Sequence, residues 1–282
     1  MYPPRTSAYV LDENYMNQSD FSLHGCHVCL TGATGHLGRA MAKGLAAAGA
    51  TVILTARNPE RLAHVTQTLK EERLSVDFFP CELTSAESRT ELAAFLEERI
   101  PRLDVLVNNA HGGVSAAPGR THQNDIEHAQ SIAVGAPFDL VHKTLPLLQK
   151  SAETRRGGAS VVNISSMYGW VSPDPRIYGD SGLNSPLAYG AAKAGMLQMT
   201  RYLAVHLAHH KVRVNAITPG PFPKNEIQRA QPEFCETLTH KVPLGRLGDA
   251  DELLGPVVFL ASDASSFVTG VNLPVDGGWT AW

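Results

Sequence analysis

Charge of one sign is what this sequence most lacks: 24 Lys and Arg residues stand against 27 Asp and Glu, a formal net charge of −3. Without a basic excess there is no electrostatic footprint for nucleic acid or an anionic membrane surface. Long apolar runs are missing as well. A charge, Gly or Pro interrupts each one well short of the roughly 20 residues that a membrane span requires. No charged-then-apolar leader opens the chain. The expectation is a soluble, cytoplasmic protein whose partners are small molecules, with neither nucleic acid nor membrane among them.

Cysteine is scarce too, at four residues: Cys26, Cys29, Cys81 and Cys235. Cys26-His27-Val28-Cys29 has the spacing of a metal or redox pair. Both cysteines fall in the first predicted strand, however, where residues three apart point to opposite faces. No second pair completes a zinc site, so the four read as small buried hydrophobes and no metal is expected.

The 282 residues suit one α/β domain with a sizeable core. Residues 1–20 are polar, hold Pro3 and Pro4 and keep no period; they read as an N-terminal arm, disordered or laid on a neighbouring subunit. From residue 21 to 282, apolar strands alternate with amphipathic helices across short connections, the signature of a doubly wound parallel sheet with about seven strands and helices on both faces. Asn58 and Pro59 start the second helix as N-cap and first turn. Thr84 to Glu87 reads as a capping box ahead of the third. A long helical stretch to about Gln149, with Pro137 and Pro146 inside or ending it, follows the fourth strand. Leu187 to Leu207 is a further helix, and Asn272 to Val275 a last strand.

Two local patterns carry chemistry. Thr31-Gly32-Ala33-Thr34-Gly35-His36-Leu37-Gly38 lies between an apolar strand and a helix, with a second strand beyond. Glycines there permit a tight turn and let the backbone approach a pyrophosphate at the helix N-terminus. Tyr189 and Lys193 are four apart on one helix and share a face. An ammonium near a phenol favours phenolate and lowers the tyrosine pKa towards the range of a general acid/base.

With Asn108-Asn109-Ala110, Asn163-Ile164-Ser165-Ser166, Pro219-Gly220 and Val275-Asp276-Gly277-Gly278 in this order, the chain from Phe21 onward resembles the short-chain dehydrogenase/reductase family in its single-domain form, with a Rossmann fold. The resemblance implies an oxidoreductase that moves a hydride between nicotinamide and a secondary alcohol or ketone. Tyr189 would be the acid/base, Ser166 would hydrogen-bond the same oxygen, and Lys193 would bind the nicotinamide ribose and lower the pKa of Tyr189. Gly32, Thr34, Gly35, His36, Leu37, Gly38, Glu82, Leu83, Asn108, Asn109, Ala110, Pro219, Gly220 and Phe222 would meet the cofactor. At the end of the second strand Ala56 stands where an acid would hold a bare ribose, and Arg57 follows. A guanidinium there suits a 2′-phosphate, so NADP(H) is favoured over NAD(H).

Departures from the family pattern bear on mechanism. His36 follows Gly35 where the single-domain branch more often has its middle glycine. His111 continues Asn108-Asn109-Ala110 in place of glycine, either as a surface residue or as one lining the site. Ile132 stands where a catalytic asparagine is usual, with Ser131 the nearest polar substitute, and Lys224 replaces a threonine that commonly meets the nicotinamide amide. Ser166 and Tyr189 lie 23 positions apart, against about 13 in typical members, so the loop between them carries an insertion of roughly ten residues. With both flanks pinned at the active site, it is expected to rise beside or over the pocket. Trp170, Arg176, Tyr178, Asp180 and Asn184 are its candidate substrate contacts, a mixture suited to polyols and sugars. Phe222 and the segment to Thr239 read as a mobile flap.

The pattern after Pro243-Leu244-Gly245-Arg246 is similar, more loosely, to gluconate 5-dehydrogenases and sugar oxidoreductases of bacterial glycan pathways. The leading expectation is therefore a sugar-like or polyol substrate; an oxoacyl or aromatic-ketone reductase and a cofactor-binding regulator are the alternatives. The family resemblance also implies a homotetramer or homodimer. Trp279 and Trp282 at the chain end suit burial at a subunit interface.

Overall fold

The computed structural model describes residues 18–112, 121–179, 181 and 184–282. Most of the expected N-terminal arm lies outside these residues, as does Asp180. Short apolar runs become the strands β1 (His27–Thr31), β2 (Thr51–Ala56), β3 (Val76–Pro80), β4 (Val105–Asn108), β5 (Ala159–Ile164), β6 (Val212–Pro219) and β7 (Asn272–Val275). They form one sheet in the order β3-β2-β1-β4-β5-β6-β7, with every neighbouring pair parallel. Parallel strands need long crossovers, which helices supply while covering both faces. These are α1 (His36–Ala47), α2 (Pro59–Glu71), α3 (Ala86–Arg99), α4 (Gln123–Gln130), α5 (Ala136–Ala152), α6 (Leu187–Leu207), α7 (Asn225–Ala230), α8 (Pro232–Lys241) and α9 (Leu254–Ala261). The doubly wound sheet with its seven strands is the fold that the alternation implied. Among the described residues, no helix is long and apolar enough to cross a membrane.

Alternation along β1 shows how both faces are filled. Val28 and Leu30 join Met41 and Leu45 of α1, Leu62 of α2 and Leu260 of α9 in one core. Cys29 points the other way, into a core with Leu92 and Leu96 of α3, Leu140 of α5 and Met196 of α6. Cys26 lies one residue ahead of β1 and is buried on the first face. All four cysteines are free and buried, and burial pushes the Cys29 thiol up to about 12.

Three local expectations need correction. The third helix is capped by Ser85, whose hydroxyl accepts from the Ser88 amide at 3.2 Å. Thr84 is drawn away from that role because its hydroxyl donates to the Glu82 carboxylate at 2.8 Å, and a bond to a charged acceptor is the stronger one. The long stretch after β4 is α4 and α5 joined by a π-helical turn, Ser131–Gly135, in which the Ala136 amide donates back to the Ser131 carbonyl. Pro137 follows at once; a proline offers no amide and crowds the preceding turn, so a widened turn just before it relieves that conflict. Trp279, read as an interface residue, is taken up by its own chain in a small third cluster with Met167, Ile177, Leu238 and Val242. Only Trp282 stays exposed.

Candidate active site

The order of strands reverses between β1 and β4, and a crevice opens beyond their carboxyl ends. The glycine turn forms one wall. Gly32 adopts φ +66°, and a Cβ there would lie 2.8 Å from Cα of Ala110. At Gly38 a Cβ would collide with the Gly32 carbonyl. Gly35 is the N-cap of α1 and brings no side-chain hydrogen bond, so the amides of the first turn have no side-chain partner. A helix start in that condition favours an anion. Thr31 stitches the crevice together: its hydroxyl accepts from the amides of Asn109 (2.9 Å) and Ala110 (3.1 Å). The Asn109 side chain in turn donates to the carbonyls of Thr31 (2.9 Å) and Gly32 (3.1 Å).

Twelve of the sequence-derived residues line this one cleft: Gly32, Thr34, Gly35, His36, Leu37, Gly38, Arg57, Glu82, Leu83, Asn109, Ala110 and Phe222. Burial alone would raise the Glu82 pKa, but bonds from Thr84 and the charge of Arg57 override it and hold the carboxyl below its usual range. Four expected cofactor residues are not among those lining it: Lys193, taken up below, and Asn108, Pro219 and Gly220. Asn108 is buried and donates to Asn163 at 2.8 Å, tying β4 to β5. Pro219 ends β6, and Gly220 donates to the Val275 carbonyl at 3.0 Å with its Cα packed on Asp276. Those contacts extend the β6–β7 pairing.

Nine further residues line the cleft, among them Arg61, His111, Ile132 and Lys224. Arg61 gave no signal in the sequence, standing as one of several charges in the first turns of α2. Its amide donates to Asn58 at 2.7 Å, which fixes where the second guanidinium leaves the backbone. His111 takes the site-lining option, its ring edge-on to that of Tyr189 at 6.4 Å between centroids. Ile132 occupies the asparagine position with an apolar side chain, within the π turn.

Ser166, Tyr189 and Lys193 converge where β5 ends against the first turns of α6. The Ser166 hydroxyl accepts from the Tyr168 amide at 3.2 Å and acts on the Tyr189 phenol to lower its pKa. Lys193 is buried, its ammonium 5.8 Å from the Tyr189 ring centroid and donating to the Ile164 carbonyl at 2.6 Å. Ser165 fastens the same junction from the other side, its hydroxyl donating to the Lys193 carbonyl at 3.0 Å.

Electrostatics here differ from the sequence expectation. Burial raises the Tyr189 pKa above its ordinary value, and the Ser166 hydrogen bond opposes that rise only in part. Lys193 donates to the Ile164 carbonyl, and its own pKa falls from 10.5 to about 8 through burial. The folded protein thus holds the Lys193 proton more weakly than the unfolded chain, which binds the extra proton between those two values. Stability from this group is therefore lowest below about pH 8 and increases as pH rises towards 10.5. Denaturant unfolding at pH 7.5 and 9.5 should show wild type gaining on Lys193→Met at the higher pH; a constant difference would contradict it.

The insertion does not offer its polar groups to the nucleotide cleft. Arg176, with 86 % of its side chain exposed, pairs with Asp174 at 2.9 Å, and Asp174 also holds Lys241 of α8. Those two cations keep the Asp174 carboxyl well below the usual range. Tyr178 stacks on Phe234 of α8 (5.8 Å between centroids) and donates to the Tyr168 hydroxyl at 3.2 Å. Trp170, Tyr178 and Asn184 line a separate groove with Tyr168, Leu187 and Ala191. The insertion is thus a strap that joins the loop after Ser166 to the flap helix, because its apolar residues find more burial there than over the open cleft. Ile177, only 2 % exposed, is its anchor. Ile177→Ala should lower unfolding free energy by about 2–4 kcal/mol, measured by urea denaturation; a change below about 0.5 kcal/mol, the size typical of a surface substitution, would refute the anchoring role.

A family model described as Enoyl-(Acyl carrier protein) reductase matches residues 32–280. The chain is 33 % identical over 261 residues to a rhamnolipids biosynthesis 3-oxoacyl-[acyl-carrier-protein] reductase of Pseudomonas aeruginosa, covering 92 % of this chain and 98 % of that one. It is 32 % identical over 268 residues to the gluconate 5-dehydrogenase of Gluconobacter oxydans, covering 92 % and 96 %. The structure of the Pseudomonas aeruginosa RhlG/NADP active-site complex superposes with a TM-score of 0.84 at 32 % identity, over 93 % of this chain and 99 % of that one. Fold and relatives define a Rossmann oxidoreductase. The chain belongs to the short-chain dehydrogenase/reductase family, and its reaction is NAD(P)-dependent hydride exchange at a secondary alcohol or ketone.

Proposed function

We propose that the protein is an NADP(H)-dependent reductase or dehydrogenase of a polyhydroxylated, sugar-like secondary alcohol or ketone. The observation that carries the cofactor choice is the pair Arg57 and Arg61 in one cleft, beside Ala56 and with no acid at the end of β2. Two guanidiniums match the charge and oxygen geometry of a ribose 2′-phosphate. The glycine cradle and the uncapped start of α1 fit the pyrophosphate of the same molecule. When bound, the nicotinamide supplies the hydride chemistry. Tyr189 gives its proton to the carbonyl oxygen in reduction, or takes it from the alcohol in oxidation. A raised pKa keeps the phenol protonated and ready as the acid. Ser166 shares a hydrogen bond with that phenol and stabilises charge on the same oxygen.

Support for a sugar-like substrate comes from the polar groups near Tyr189: the His111 ring edge and the linked hydroxyls of Tyr168 and Tyr178. A second reading, an oxoacyl reductase, is favoured by the groove bearing Trp170, Val171 and Leu187, whose apolar side chains suit an acyl chain. An NADPH-consumption assay with 5-keto-D-gluconate and with an acetoacetyl thioester separates them. Turnover of the thioester alone would overturn the sugar-like reading.

The same proposal includes self-association. Phe138 on α5, Tyr202 and Val205 on α6, and Phe267 and Trp282 near β7 form apolar points more than half exposed or close to it, which suits the two faces by which the family resemblance implies a homodimer or homotetramer. Light scattering on the purified protein tests this, and a monomer at micromolar concentration would refute it.

A further inference from the structure

We propose that His111 and Lys224 form an anion subsite at the reacting end of the cleft and that it receives a carboxylate carried by the substrate. The inference rests on the sugar-like reading above and deepens it: the substrate is a hydroxy acid or keto acid rather than a neutral polyol. His111 and Lys224 line the same cleft. The His111 ring meets the ring of Tyr189, so the subsite lies beside the group that handles the proton. Three basic side chains gather at this end, because His111 feels the charges of both Lys193 and Lys224.

Among the described residues, no acid is paired with them. Among the residues lining the cleft, Glu82 is the only carboxylate, and it sits with Thr84 and under the charge of Arg57. Among the described residues neither Lys224 nor His111 has a side-chain ion pair or hydrogen bond. Lys193 donates to the Ile164 carbonyl; Lys224 offers its ammonium and His111 a ring donor to the cleft. An anion placed between them would satisfy both. Burial of the His111 ring, then the two lysine charges, lower its pKa; a bound carboxylate would reverse the Coulomb part of that shift.

The same two groups could be claimed by the cofactor's diphosphate, and the experiment is arranged to separate the sources. The enzyme saturated with NADPH is titrated calorimetrically with D-gluconate and with D-glucitol, which differ in carboxylate against hydroxymethyl. Both are alcohols, so nothing turns over with the reduced cofactor. Wild type should bind gluconate at least about tenfold more tightly, the effect of one well-placed charge pair. Lys224→Ala should bring the ratio close to one, Lys224→Arg should keep most of it, and His111→Gly should reduce it. Equal affinity of wild type for both ligands would overturn the proposal. So would a Lys224→Ala variant that loses NADPH affinity yet keeps the gluconate preference, since Lys224 would then serve the diphosphate. A gluconate preference that depends on Lys224 supports the subsite even where keto-gluconate is not turned over; in that outcome the reaction assigned above is what fails.

Discussion

Tyr189→Phe is expected to lower kcat by about 10³-fold or more, within the range that a positioned general acid contributes, while NADPH binding persists. The substitution removes one oxygen and leaves the ring packed. That oxygen is the proposed acid, its pKa raised by burial and lowered by Ser166; without it the substrate oxygen meets no acid. Lys193 cannot take over the proton transfer, because it is buried behind the ring and bonded to the Ile164 carbonyl at 2.6 Å. Stopped-flow NADPH oxidation and a fluorescence titration of NADPH, run on the same preparation, give the two readouts. A variant that retains a tenth of wild-type turnover would place the acid elsewhere, with His111 the next group to examine. Loss of NADPH binding together with activity would instead show that the substitution had disturbed the fold of the cleft.

The second large effect concerns the adenosine end. Arg57→Leu combined with Arg61→Leu should weaken NADPH binding by about 10²-fold or more, since each charge-assisted bond to a phosphate contributes roughly 1.5–3 kcal/mol. NADH, which carries no 2′-phosphate, should change much less, so the ratio of kcat/KM for the two cofactors collapses. Adding Ala56→Asp should move preference towards NADH by supplying an acceptor for the bare ribose. Each single arginine variant should lose part of the effect, because both line the cleft. If the double variant keeps the NADPH preference of wild type, the pair has no part in cofactor choice.

Both predictions draw on residues of unequal legibility. Arg57 stood out because it ends a strand beside a position that lacks an acid. Arg61 was hidden among the surface charges of an ordinary amphipathic helix until the fold turned the start of α2 towards the cleft. Tyr189 and Lys193 could be paired from spacing alone, as helical periodicity is local. Their electrostatics could not, because the Tyr189 pKa answers to burial and to Ser166, which lies just past the end of β5. The insertion shows the same division. Its length and location followed from counting between Ser166 and Tyr189. Its use as a strap to α8 depended on Ile177, Tyr178 and Asp174 finding Leu238, Phe234 and Lys241, more than fifty residues away along the chain.

By itself the sequence determined the alternation of strands and helices, the glycine turn, the spacing of Ser166, Tyr189 and Lys193, and the near balance of charge. Those features are encoded in short-range periodicity, in backbone conformations that only certain residues allow, and in composition. Tertiary structure alone decided which cations share the cleft, which way Lys193 spends its proton donors, and whether Trp279 faces a partner or its own core. Such outcomes arise from competition between distant groups for burial and for hydrogen-bond partners, and that competition exists only once the chain has folded.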